Sequence, residues 1–124
     1  MPANKIILIG PVALTNTLTT NIINPPTLTG GIGLSGTNTN TYLIIRHIRI
    51  TNKTGTAVSF SLWLGATGAN TAGTEVIGSA KFVAANDAYD WYGMLRLDVN
   101  QFVVGGASAN TALTLQCEAE IGVV

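Results

Sequence analysis

The chain has 124 residues, enough for one domain that buries about two thirds of its unfolded surface without metals or disulfides. Six Lys and Arg balance six Asp and Glu, and charged residues make up only 10% of the chain against about 25% in an average soluble domain, while 47% are hydrophobic. That balance excludes the basic stripe a nucleic-acid partner requires, and the apolar content excludes intrinsic disorder.

In chain order, residues 4–9 read as a short apolar strand stopped by Gly10-Pro11. Residues 12–24 are extended and Thr-rich up to Pro25-Pro26, and residues 27–41 are a loop of Gly, Thr and Asn. Lys5 is the only ionisable side chain before Arg46, so residues 1–41 are expected to form an extended arm laid across a neighbouring subunit, with residues 42–124 as the β-sandwich core. The apolar run after Lys5 has the length of a secretory signal, but Gly10-Pro11 interrupts it and no A-x-A site follows, so the segment is expected to stay on the protein. No apolar run approaches the roughly 18 residues of a membrane span, and no membrane association is expected.

The chain's organising stretch is residues 42–65, two β-branched and aromatic runs flanking Asn52-Lys53-Thr54-Gly55, the pattern of an antiparallel hairpin. In the second run Val58, Phe60, Leu62 and Leu64 alternate with Ala57, Ser59, Ser61 and Trp63, so one face is core. The first run sets Tyr42, Ile44, Arg46, Ile48 and Ile50 against Leu43, Ile45, His47, Arg49 and Thr51. Both faces are apolar at its start and one at its end, which predicts a central strand whose far face is covered near Leu43. Residues 66–73 are a loop, 74–77 and 81–84 are short edge strands, and 86–93 (N-D-A-Y-D-W-Y-G) form an acidic and aromatic corner. Residues 94–99 and 102–104 are strands joined at Asn100-Gln101, residues 105–111 turn, and 112–123 form the last long strand with Thr114, Gln116, Glu118 and Glu120 outward. Short strands at spacings near ten residues, with no helical period, give the fold class: all-β, a single-domain antiparallel β-sandwich, jelly-roll-like, with an extended N-terminal arm. A Greek-key barrel is the nearest competitor.

Few residues carry candidate chemistry. Residues 31–36 spell G-x-G-x-x-G, but a Thr/Asn stretch and a strand follow where a dinucleotide site needs a helix N-terminus, so no cofactor is expected. His47 is the only histidine and has neither a nucleophile nor further metal ligands readable beside it; it reads as paired across the sheet or at a subunit contact, and no catalytic or metal site is expected. Glu118 and Glu120 lie about 7 Å apart on one strand face. A glycosidase pair also needs a cleft and a raised pKa, so they read as a solvated face paired with Arg46, Arg49 or Arg96. Asp87 and Asp90 read as turn caps rather than calcium ligands. Cys117 falls among Leu113, Leu115, Ala119 and Ile121 and reads as a buried structural thiol. The sequon Asn52-Lys53-Thr54 reads as a turn. Trp63, Tyr89, Trp91 and Tyr92 are the aromatic concentration, expected as core or subunit interface, with glycan stacking as the other use.

The run H-I-R-I-T-N-K-T-G-T-A-V-S-F-S-L-W-L-G from His47, the Ala/Gly/Asn loop, the A-Y-D-W-Y-G-M-L-R-L corner, the Gly-Ala-Ser-Ala turn and the closing strand resemble small virion structural proteins of tailed bacteriophages, over about residues 42 to 121. The resemblance implies a non-enzymatic β-sandwich on the capsid surface of a virion, a decoration or cement protein. Its expected partners are the major capsid protein and other copies of itself in a homotrimer. The alternative is a carbohydrate- or receptor-binding module of a phage tail or fibre, with Trp63 or Trp91 as a stacking platform. No functional residues carry over, because the group has no catalytic motif to match.

Overall fold

Period-two alternation of apolar residues builds the strands, and their pairing sorts them into two layers. The computed structural model describes residues 5–24, 28–29, 37–38, 41–98 and 101–123. The strands are β1 (Lys5–Ala13), β2 (Thr20–Ile23), β3 (Leu28–Thr29), β4 (Thr37–Asn38), β5 (Thr41–Asn52), β6 (Val58–Gly65), β7 (Lys81–Val83), β8 (Ala88–Leu97), β9 (Phe102–Ala107) and β10 (Leu113–Val123). A front sheet has the order β1-β10-β5-β8 and a back sheet the order β2-β9-β6-β7, while β3 and β4 pair only with each other. All these pairs are antiparallel. With β3 and β4 set aside, successive strands cross from one sheet to the other except at β6–β7, which pair side by side in the back sheet, and this is the nested order of a jelly roll. Two separate sheets, rather than one closed sheet, exclude the Greek-key barrel.

The core lies between the layers. Leu43, Ile45, Ile48 and Ile50 of β5 and Leu113, Leu115, Cys117 and Ala119 of β10 meet Val58, Phe60 and Leu62 of β6 and Val103 of β9. Burial of the Cys117 side chain pushes its thiol up to about 12, so it stays protonated and serves as a small hydrophobe.

The expectations for β1, β5 and β8 need correction, and each of these strands carries an extra residue against its neighbour. First, β1 does not stop at Gly10-Pro11. The strand bulges there, its register against β10 stepping from Ile9↔Cys117 to Val12↔Leu115. Gly10 makes this possible with φ of +89°, where an added Cβ would sit 2.7 Å from the Leu115 carbonyl oxygen. Pro11 is tolerated because β1 is an edge strand. The described part of the expected arm therefore belongs to the sandwich: β1 pairs with β10, β2 pairs with β9, and Leu14, Ile22 and Ile23 are in the core. Most of the expected loop at 27–41, including the G-x-G-x-x-G stretch, lies outside the described residues.

Second, the two apolar faces at the start of β5 come from a change of phase. Against β10 the register passes from Ile45↔Ala119 to His47↔Glu118, so Arg46 is an extra residue. Inward positions are Leu43 and Ile45 before it and Ile48 and Ile50 after it. Third, the aromatic corner is a strand. β8 runs unbroken from Ala88 to Leu97, with an extra residue at Gly93-Met94 relative to β5 and with Tyr89, Trp91, Leu95 and Leu97 all inward. Residues 74–77 give only an isolated bridge, Trp63 to Glu75.

Candidate functional site: the outer face of the front sheet

Three bulged or bent strands and β10 present one broad face to solvent, and the chain's three arginines all sit on it. β5 contributes Arg46, His47 and Arg49 and no acid; β10 contributes Glu118 and Glu120 and no base. The phase change at Arg46 turns His47 and Arg49 outward.

Cross-strand pairing then links these groups. Arg46 donates from Nη2 to Glu120 Oε2 at 2.9 Å and from Nε to the same oxygen at 3.2 Å. Arg49 Nε donates to Asp90 Oδ1 at 2.7 Å, and His47 Nε2 lies 2.8 Å from that same oxygen. The Arg49 hydrogen bond, and then that of His47, hold the Asp90 carboxyl below its usual range. On its other side His47 Nδ1 is 3.9 Å from Glu118 Oε1. Arg96 donates to Asp98 Oδ1 at 2.7 Å and lies over the Tyr42 ring, 4.7 Å from its centroid.

The apolar groups of this face are exposed. Tyr92 stacks on His47, ring centroids 4.6 Å apart and 15° from parallel, yet is 72% exposed. Met94 is 67% exposed and Leu8 59%. Register sets Leu8, Glu118, His47 and Tyr92 in one row across all the strands of the sheet. Tyr, Met and Arg are the side chains enriched where proteins meet, whereas Lys is depleted there.

The other aromatic candidates lie elsewhere. Tyr89 and Trp91 pack against the core, Tyr89 with its ring 5.8 Å from that of Phe60 and with Lys81 Nζ 4.7 Å from its own centroid. Trp63 is on the outer side of the back sheet but only 9% exposed, paired with Val104 and bridged to Glu75. The structure therefore brings Tyr92 together with His47, Arg49 and Asp90 and leaves Trp63 on the opposite layer. Nothing in the alternation of residues 86–93 singled out Tyr92; the odd positions Tyr89 and Trp91 turn inward, and knowing that 88–97 is one strand would have sufficed to separate them.

The back sheet's outer face is different in kind. Asn16, Leu18, Ser59, Ser61, Ala80, Gly106, Ala107 and Ser108 line a shallow groove of about 320 Å³ with no charged residue. Among the described residues, no three His, Cys, Asp or Glu side chains are grouped to hold a metal. No helix of the described residues is long and apolar enough to cross a membrane.

No protein-family model matches the sequence, and no curated protein sequence matches it. Among solved structures the chain is similar to Eiger TNF from S. frugiperda, at 11% identity and a TM-score of 0.37 over 96% of this chain and 85% of that one. It is also similar to infectious bursal disease virus, Gt strain (6% identity, TM-score 0.38) and Gx strain (6%, TM-score 0.40). The similarity to the viral chains covers 99% of this chain but only 31% of theirs. At such identities and TM-scores the jelly roll is read from this chain's own strand order.

Proposed function

We propose that this chain is a non-enzymatic structural protein of a tailed-bacteriophage virion, a capsid decoration or cement protein. It binds across capsomers of the major capsid protein and acts mechanically, by holding neighbouring capsomers together. The observation that carries the reading is the front sheet's outer face, where exposed Tyr92, Met94 and Leu8 lie among ion pairs already formed within the chain. Such a surface is preorganised for contact with protein: its charges need no rearrangement, and its apolar groups are the ones left to bury. The resemblance of residues 42–121 to phage virion proteins points the same way. Attachment is made by the folded sandwich itself, since β1 and β2 are part of it.

A second reading has one observation in its favour. Tyr92 offers an exposed ring beside Arg49, Asp90 and Glu118, and a sugar can stack on such a ring while bonding to such groups. That reading makes the chain a carbohydrate-binding module of a tail or fibre, with Tyr92 rather than Trp63 or Trp91 as the stacking platform.

The test is to locate the chain in purified particles by labelling, with wild type and Tyr92→Ala compared for glycan retention. Many copies spread over the head, with no glycan retained by either protein, is the expected result. Copies confined to the tail, or glycan retention lost in Tyr92→Ala, would reject cementing.

A further inference from the structure

The row Leu8, Glu118, His47 and Tyr92 is self-complementary. It reads apolar, acidic, imidazole, aromatic across β1, β10, β5 and β8. A half-turn about an axis parallel to the strands, lying against the face between β10 and β5, reverses the row. Tyr92 of one copy then faces Leu8 of the other, and Glu118 faces His47. The same operation lays acidic β10, with Glu118 and Glu120, over basic β5, with Arg46 and Arg49.

We propose that the outer face of the front sheet docks a second copy of this chain about that two-fold axis, as two sheets packed face to face. Isologous pairing of this kind needs one surface to satisfy itself, and this face does so in both its apolar and its charged positions. Its extent is sufficient. Four strands at about 4.8 Å and roughly ten residues at about 3.4 Å give about 650 Å² per copy, near the roughly 800 Å² a side of stable interfaces. The charges also select the occupant. Arg46, Arg49 and Arg96 stand against Asp90, Asp98, Glu118 and Glu120, so the face is close to neutral and suits neither a strongly acidic nor a strongly basic partner. Glu118 is the acid without an arginine of its own, 59% exposed at its side chain, and the half-turn supplies it with the other copy's His47. Aligned packing of twisted sheets brings such rows together near their centres.

This pairing stands on the geometry of the face and not on the virion reading, and the two compete for one surface: a second copy covers the face in the free chain, and capsid protein replaces it on the particle. Light scattering and sedimentation of the full chain test it in the absence of any particle. Wild type is expected to have the mass of two chains, in place of the three that the resemblance implies. Tyr92→Glu and Leu8→Glu are each expected to weaken association at least tenfold, while Phe82→Ser, on the back sheet, leaves it unchanged. Circular dichroism checks that each variant is folded. Geometry is read separately by oxidising mixed single variants: Leu8→Cys with Tyr92→Cys is expected to cross-link, and either alone is not. Buried Cys117 does not compete. A single-chain mass for wild type, a three-chain mass, association indifferent to Tyr92→Glu, or cross-linking of Leu8→Cys to itself would overturn the pairing. A monomer that still joins particles would do so while leaving the virion reading in place.

Discussion

Asn52 is the buried polar side chain of the core end, 1% exposed, and each of its bonding groups is used. Its Nδ2 donates to the Thr56 carbonyl at 2.8 Å and the Val83 carbonyl at 3.1 Å, while Oδ1 accepts the Thr54 N–H at 2.9 Å and the Thr54 hydroxyl at 2.6 Å. One amide thus ties the β5–β6 turn to β7, and no N–H is left for a glycan in the folded chain. Asn52→Ala leaves buried donors and acceptors unpaired and is expected to cost about 3 kcal/mol in urea denaturation. Asp90 gives a pH signature instead. Its folded pKa is depressed by Arg49 and then His47, so its contribution is complete above the unfolded value of about 4 and is lost as pH falls through the lower folded value. Stability measured by chemical denaturation at successive pH values should therefore fall less steeply below about pH 4 in Asp90→Asn than in wild type. An equal acid slope in the two proteins would mean that the Arg49 and His47 contacts do not persist in solution.

At the scale of elements, regular strands were legible in the sequence and bulged ones were not. β6 and β10 alternate without interruption, and their inward residues are those that alternation selects: Val58, Phe60 and Leu62, then Leu113, Leu115, Cys117, Ala119 and Ile121. β1 and β5 each carry an extra residue, at Gly10-Pro11 and Arg46, that changes which side chains face inward, whereas β8 gains one at Gly93-Met94 against β5 and still keeps Tyr89, Trp91, Leu95 and Leu97 inward. The physical reason is that one inserted residue reverses the side-chain phase, so a local pattern loses its period while long-range pairing keeps the strand. Glycine misled in the same way in β9, where Gly105 and Gly106 looked like a turn but continue the strand. At Gly105 φ is +156° and an added Cβ would fall 2.0 Å from the Ser61 carbonyl oxygen. At Gly105 the backbone of β9 lies too close to β6 to admit a side chain. Gly105→Ala is expected to lower stability by more than about 3 kcal/mol or prevent folding, read as thermal midpoint and soluble yield. A midpoint within a few degrees of wild type would show that the two strands separate at little cost.

In the whole molecule, two outer faces of unlike chemistry flank one core. The charged face was only half legible: pairing of Glu118 or Glu120 with Arg46, Arg49 or Arg96 follows from strand alternation, and Arg46–Glu120 is such a pair. The row from Leu8 to Tyr92 was not, because it needs the register of strands that begin more than 100 residues apart, β1 and β10. A protein that binds the mature shell and not its separated subunits stabilises the shell by RT ln(1 + [L]/Kd) per site, about 2.7 kcal/mol at a hundredfold excess over Kd. With charges paired on the front face and hydroxyls lining the groove of the back, the proposed contact to a shell would gain little from unscreened charge and should weaken little in salt. The most direct measurement is the thermal integrity of particles with and without this chain, at low and at high ionic strength. Particles carrying it should release their contents at a higher temperature in both buffers. Equal release temperatures with and without the chain would contradict cementing, and loss of the chain in moderate salt would contradict the account of its contacts.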